Sequence, residues 1–154
     1  MTESLTARCT LDELARVSEW VDAIAAQWGL PTQTTFAIQL CCEEVFSNII
    51  RHGHPEPRAG ETDAVARIVL AQSADSVSLT LEDQGPAFDP LTVQAPAMPS
   101  TIGEMQIGGL GIHLIRKFSQ SVHYQHREGF NCLTMRFDLS RSAQASGSLS
   151  PAMA

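Results

Sequence analysis

The stretch Glu43-Glu44-Val45-Phe46-Ser47-Asn48-Ile49-Ile50-Arg51-His52 decides how this chain is read. It lies on a helix expected to begin near Thr32–Thr35 and to run to about Arg51, where Gly53 and Pro55 end it. Glu44, Asn48 and His52 are each four residues apart, so they line one face. Glu43 points roughly 100° away around the helix. A carboxylate and an amide one turn apart suit a divalent cation and a water or hydroxyl to be activated. Magnesium prefers oxygen ligands and often takes one protein oxygen plus phosphates and waters. Alone, the same pair is also what an ordinary solvated helix face carries.

Two further segments carry polar residues that a plain core does not need. Leu81-Glu82-Asp83-Gln84-Gly85-Pro86-Ala87-Phe88-Asp89 places Asp83 at a strand end with Gly85 in the turn behind it. A strand-end carboxylate accepts a hydrogen bond from an exocyclic amine, and the glycine lets a flat ring approach the backbone. A turn closing a strand has the same composition. Gly108-Gly109-Leu110-Gly111-Ile112-His113-Leu114-Ile115 is a glycine cluster opening into a helix. Exposed N–H groups and the helix dipole favour phosphate there. It is neither the dinucleotide fingerprint nor a Walker loop, since no Lys-Ser/Thr follows the glycines.

Outward from these segments, the elements alternate. Leu5 to Cys9 is a candidate first strand, and Thr10-Leu11-Asp12-Glu13 is a capping box opening a helix that runs to Trp28-Gly29. Val65–Ala71 and Ser76–Glu82 are strand-like runs around Ser73-Ala74-Asp75. Leu110–Phe118 is helical, and Val122–His126 and Cys132–Leu139 alternate around Arg127-Glu128-Gly129. The sum is an α+β fold: a two-layer sandwich with a mixed, mostly antiparallel sheet and helices on one face. One domain is expected over residues 1–139, with residues 140–154 a small, polar, disordered tail. The proline-rich stretch Gln84 to Gly108 is long enough to be a functional lid.

Composition excludes several classes. The chain has 154 residues, 44% of them hydrophobic, four cysteines and a formal net charge of −7. No apolar run approaches the roughly 20 residues that cross a bilayer. No basic patch leads into an apolar stretch at the start, so no signal peptide is expected. Cys41 and Cys42 are adjacent and no CxxC occurs, which fits small buried hydrophobes in a reducing cytoplasm rather than disulfides or structural zinc. The acidic balance argues against direct nucleic-acid binding through phosphates. His52-x-His54 supplies only two ligands and reads as a helix end.

In this order and spacing the three segments resemble the ATP-binding domain shared by gyrase, the Hsp90 chaperones, histidine kinases and the MutL repair proteins. Glu44-x-x-x-Asn48 is similar to that superfamily's N box, Asp83-x-Gly85-x-x-Phe88-Asp89 to its first glycine box, and Gly108-Gly109-x-Gly111 to its second. Asn48-Ile49-Ile50-Arg51-His52-Gly53 and Gly109-Leu110-Gly111-Ile112-His113-Leu114-Ile115 resemble the bacterial anti-sigma factor serine kinases in particular. The resemblance spans about Leu5 to Leu139.

It implies the Bergerat-type ATP-binding fold, with ATP and Mg²⁺ as cofactors. By position, Glu44 would be the general base and Asn48 the magnesium ligand. Asp83 would bind the adenine amino group and Gly85 would give the ring its backbone contact. Gly109 and Gly111 would serve the triphosphate, and His52 and Phe88 would line the site. Pro86 and His113 depart from the pattern. The implied activity is phosphorylation of a STAS-type anti-anti-sigma protein, with a sigma factor as competing partner and a homodimer as the working unit. Two alternatives stand beside it: a non-catalytic ATP-binding adaptor, and a stand-alone histidine-kinase-like ATPase domain. The intact Glu44 favours a kinase. The ~30 residues ahead of the second helix are too few for a phospho-acceptor helical hairpin at ~1.5 Å rise per residue.

Overall fold

The computed structural model describes residues 1–53, 64–92 and 111–140. Chain order is β1 (Thr2–Arg8), α1 (Glu13–Trp28), α2 (Thr32–Asn48), a π-helical turn (Ile49–Gly53), β2 (Val65–Gln72), β3 (Ser76–Asp83), α3 (Gly111–Phe118), β4 (Ser121–Arg127) and β5 (Phe130–Asp138). The strands form one sheet in the order β1-β2-β3-β5-β4. Every pairing among the described strands is antiparallel. Strand β5 inserts between β3 and β4, so α3 crosses from one to the other on the helical face.

Alternation along the strands separates the two faces. Val77, Leu79 and Leu81 of β3 and Leu133, Met135 and Phe137 of β5 are buried beneath the helices. Their neighbours Ser78, Thr80, Thr134 and Arg136 face the other way, where Thr80 Oγ1 and Thr134 Oγ1 share a hydrogen bond of 2.9 Å. Helix α2 lies between α1 and α3. Its stripe Ala37, Ile38, Cys41, Cys42, Val45 and Phe46 is buried, and on α1 the stripe is Val17, Val21, Ile24, Ala25 and Trp28. On the solvent side, the Gln39 amide donates to Ser18 O at 2.8 Å and to Asp22 Oδ1 at 2.7 Å, tying α1 to α2.

Turn chemistry matches the expected hairpins. Ser73 N–H donates to Ser76 O at 2.9 Å in the β2–β3 turn. In the β4–β5 turn Glu128 has φ 54° and Gly129 has φ 81°. Two consecutive left-handed residues match the twist of a two-residue hairpin. Gly29, at φ 63°, ends α1 as an αL cap.

Three expectations need correction. The first strand is Thr2–Arg8, not Leu5–Cys9, because it pairs with β2 along its whole length from Thr2↔Ala71 to Arg8↔Val65. The capping box at Thr10 does not form. The Thr10 hydroxyl is buried without a hydrogen-bond partner, and α1 starts only at Glu13. The Glu13 carboxylate accepts the Arg8 N–H instead and forms an ion pair with Arg16, whose Nη2 also donates to Thr6 O. Burial of Glu13 against two arginines outcompetes the local cap. Finally, regular α-helix stops at Asn48 rather than near Arg51, and a π-helical turn takes the chain to Gly53. The tail beyond residue 140, the 54–63 loop and most of the Gln84–Gly108 stretch lie outside the described residues.

Candidate nucleotide site

A cleft opens between the end of α2, the start of α3 and the sheet. Counting its open mouth, it holds about 570 Å³ of empty space. Its apolar walls are Val45, Ile49, Leu81, Ile115 and Leu133, and its polar groups are Asn48, His52, Asp83, Tyr124 and Asn131. Apolar walls with a few converging polar groups are the usual form of a small-molecule site.

The floor is built by register. Asp83, the last residue of β3, pairs directly with Asn131 near the start of β5. Both are inward-facing and almost fully buried. Asp83 Oδ1 accepts the Gly85 N–H at 2.8 Å and Asn131 Nδ2 at 3.3 Å. The strand-end carboxylate expected from the sequence therefore sits at the base of the cleft, and Gly85 turns the chain directly over it. Phe88 lines the mouth and is 53% exposed. Its N–H donates to Asn131 Oδ1 at 3.2 Å.

The other end is built by helix termini. Gly111, the first residue of α3, lies against the last turn of α2. A Cβ added there would come 2.7 Å from Glu44 Oε2 and 3.6 Å from Asn48 Nδ2. The structure thus brings Gly111, Glu44 and Asn48 together. Glu44 is half-buried beside Gly111, one turn before Asn48, whereas Glu43 is exposed. Burial, reinforced by the Glu43 charge, raises the Glu44 carboxyl above the ordinary glutamate range, and Arg51 opposes the shift. The shared face of Glu44, Asn48 and His52 is interrupted, since His52 belongs to the π-helical turn. It nonetheless lines the cleft. Such turns are frequent where a helix must present a side chain off its regular rotation. Gly109 lies outside the described residues.

The residues present fit a magnesium nucleotide. The cleft offers apolar walls and a buried carboxylate for a flat base. Asn48 and Glu44 offer oxygen donors of the kind magnesium takes when phosphates and waters complete its shell. Among the described residues no group of three or more His, Cys, Asp or Glu is arranged to hold a metal by itself. Burial pushes the Cys9 thiol up to about 11 and those of Cys41 and Cys42 up to about 12.

Sequence reasoning missed Asn131 and Tyr124. The signal was present: Asn131 begins the inward-facing series Asn131, Leu133, Met135, Phe137, where a buried amide breaks an apolar alternation. Such a residue needs partners for both ends of its amide.

A family model for the histidine kinase-like ATPase domain matches residues 7–137. The chain belongs to this family. Among curated relatives of this histidine kinase-like ATPase, the serine/threonine-protein kinase BtrW of Bordetella bronchiseptica is 32% identical over 86% of this chain and 87% of its own length. The serine-protein kinase RsbW of Bacillus subtilis is 24% identical over 71% of this chain and 68% of its own.

Two solved structures share the fold at 16% identity. One holds the RsbU and RsbW domains of Rv1364c from Mycobacterium tuberculosis, with a TM-score of 0.60 over 90% of this chain. The other is the histidine kinase domain of a blue-light activated histidine kinase from Erythrobacter litoralis, with a TM-score of 0.53 over 85%. The chain spans 32% and 61% of those two longer chains. The two-layer α+β architecture read from the sequence is thus the architecture of this family. The enzyme class read from it, a protein serine/threonine kinase, is that of both curated relatives. No described helix is long and apolar enough to cross a membrane.

Proposed function

We propose that this histidine kinase-like ATPase is a serine kinase that transfers the γ-phosphoryl group of ATP to a STAS-type anti-anti-sigma protein. In this reading a sigma factor competes for the same surface, and the protein works as a cytoplasmic homodimer. One observation carries the chemistry: a cleft with a buried carboxylate at one end and a carboxylate–amide pair packed against a glycine helix start at the other.

Asp83 meets the adenine amino group, and Gly85 lets the ring lie against the backbone. Phe88 and His52 close the mouth. Gly109 and Gly111 keep the phosphate end free of side chains, so that the N–H groups opening α3 face the triphosphate. Asn48 would hold Mg²⁺, which when bound neutralises phosphate charge. Glu44 takes the proton of the attacking serine hydroxyl. Its raised pKa makes it a stronger base than an ordinary glutamate.

The experiment is transfer of labelled phosphate from Mg-ATP to the product of any STAS gene adjacent to this one. Glu44→Ala is expected to bind ATP normally and to transfer roughly 10²–10⁴-fold more slowly. Transfer at a near-normal rate by that variant would remove Glu44 from the reaction. ATP binding by the native chain with no transfer to any STAS protein would shift the reading to the adaptor.

A further inference from the structure

Asn131 is the most heavily bonded side chain of the cleft, and no motif called for it. Its Nδ2 faces three acceptors: Asp83 Oδ1 at 3.3 Å, Gly85 O at 3.2 Å and Pro86 O at 3.0 Å. Its Oδ1 faces two donors, the Phe88 N–H at 3.2 Å and the Tyr124 hydroxyl at 2.6 Å. Three oxygens on one side and two N–H or O–H groups on the other fix the orientation of the amide. Burial raises the Tyr124 hydroxyl above its ordinary pKa, with Asp89 and Asp83 adding to the shift. The hydroxyl therefore stays protonated and donates.

One amide thus joins the end of β3, the Gly85–Phe88 segment and β4. The segment it holds is the one that would have to accommodate the base. Neither terminal strand residue imposes that arrangement by backbone pairing alone, because the ladder between β3 and β5 ends at Asp83↔Asn131.

We propose that Asn131, steadied by Tyr124, is a positioning residue that sets the base selectivity of the site. It presets the Asp83 carboxylate plane and the height of the Gly85–Phe88 segment, so that an amino group is accepted and a carbonyl edge is refused. This rests on the reading that Asp83 meets the base. A purine with an amino group at that edge donates to the carboxylate. One with a carbonyl there opposes it, and a carboxylate free to turn away would discriminate less. Buried polar groups left unpaired by the wrong ligand are what give such sites their selectivity.

Three variants of the full chain test this by calorimetric titration with Mg-ATP and Mg-GTP. Tyr124→Phe removes one donor from a partly exposed position. It is expected to weaken ATP about threefold to tenfold and to narrow the ATP-to-GTP ratio. Asn131→Asp places a second carboxylate about 3.3 Å from Asp83. At pH 8 it is expected to weaken ATP by about tenfold or more. In acid a carboxylate pair at this distance shares one proton. The protonated carboxyl then donates where Nδ2 did, and the ratio of variant to native affinity recovers by about tenfold.

The titratable groups facing this pair are Cys9 beyond β1, His52 after α2, Asp89 after β3, Tyr124 and His126 on β4, and Cys132 on β5. Taking the ratio removes what they and the nucleotide phosphates contribute to both chains. A structural defect alone would give a loss independent of pH. Such a loss, or native affinity at pH 8, overturns the proposal. If Asn131→Asp does not fold, an unchanged ATP-to-GTP ratio in Tyr124→Phe overturns it. Asp83→Ala separates the two readings. Native ATP affinity in that variant refutes the role of Asp83 itself, while lost affinity there with unaltered Asn131→Asp binding refutes only the role of Asn131.

Discussion

Gly111→Ala tests the geometry of the phosphate end with one methyl group. The added Cβ would lie 2.7 Å from Glu44 Oε2, about 0.7 Å short of the 3.4 Å at which ordinary contact begins. The Asn48 amide, at 3.6 Å, is not disturbed. What must yield is the far end of a flexible side chain, so Glu44 swings aside at a cost of about 0.5–1.5 kcal/mol. Gly111 is the first residue of α3, where the helix-interior preference for alanine over glycine does not offset this. Net stability should therefore fall by about 0.5–1.5 kcal/mol, a shift of a few degrees in a thermal melt. The carboxylate, however, is displaced by about 0.7 Å or more. A misplacement of ~1 Å at a catalytic group costs about 10²-fold. Gly111→Ala should thus transfer phosphate roughly 10–100-fold more slowly at saturating ATP. In a Glu44→Ala background, where the clashing oxygen is gone, the same substitution should cost nothing further. Transfer at the native rate by Gly111→Ala, or a full additional loss in the double variant, would refute the claim that Gly111 is small because Glu44 is beside it.

The remaining predictions concern the base end and the scaffold. Asp83→Asn should weaken ATP by about tenfold or more in calorimetric titration, since it replaces a buried charged acceptor by an amide. The Arg16 hydrogen bond, aided by the Arg8 N–H and both guanidinium charges, holds Glu13 below the ordinary glutamate range in spite of burial. A lowered folded pKa contributes stability that is present above the unfolded value of about 4.3 and is lost as pH falls through the folded one. Glu13→Gln should therefore melt below the native chain at pH 7 and together with it in strong acid; a gap that persists in acid would refute the ion-pair account. Phe46→Ala empties the largest fully buried side chain of α2 and should cost about 3–5 kcal/mol in chemical denaturation, with the nucleotide residues untouched.

How far the sequence could be read depends on which interactions decide each feature. Helix α1, α2 and the two hairpins were legible because local period and turn chemistry agree with the final packing. The Glu44–Asn48 pair was legible for the same reason, since one helical turn carries both. Thr10 was misread because the cap is a local bond, and a long-range cluster of Glu13 with Arg8 and Arg16 displaced it. The early end of α2 at Asn48 has no breaker in the local sequence before Gly53, so a regular helix was the natural expectation. Asn131 was invisible as a motif because its partners Asp83, Gly85, Pro86, Phe88 and Tyr124 come from two stretches of chain, the nearer reached only across the β4–β5 hairpin. Only the break in the β5 alternation marks it.

The two ends of the cleft are supported by different parts of the fold, and this has a functional consequence. Asp83 and Asn131 stand on adjacent antiparallel strands, locked by a ladder from Ser76↔Asp138 to Asp83↔Asn131. Their relative placement changes only if the centre of the sheet does. Glu44, Asn48 and Gly111 stand on the ends of two helices that touch through a contact with no room for a methyl group unless Glu44 moves. A helix end can shift by a fraction of an ångström without breaking the sheet. On the proposed reading, base recognition should accordingly behave as a rigid property of the fold, and phosphate positioning as an adjustable one. A partner protein that presses on α2 or α3 would alter transfer without releasing the nucleotide. Substitutions in β3 and β5 should move the dissociation constant for ATP, and substitutions at the α2–α3 contact should move the rate of transfer at saturating ATP.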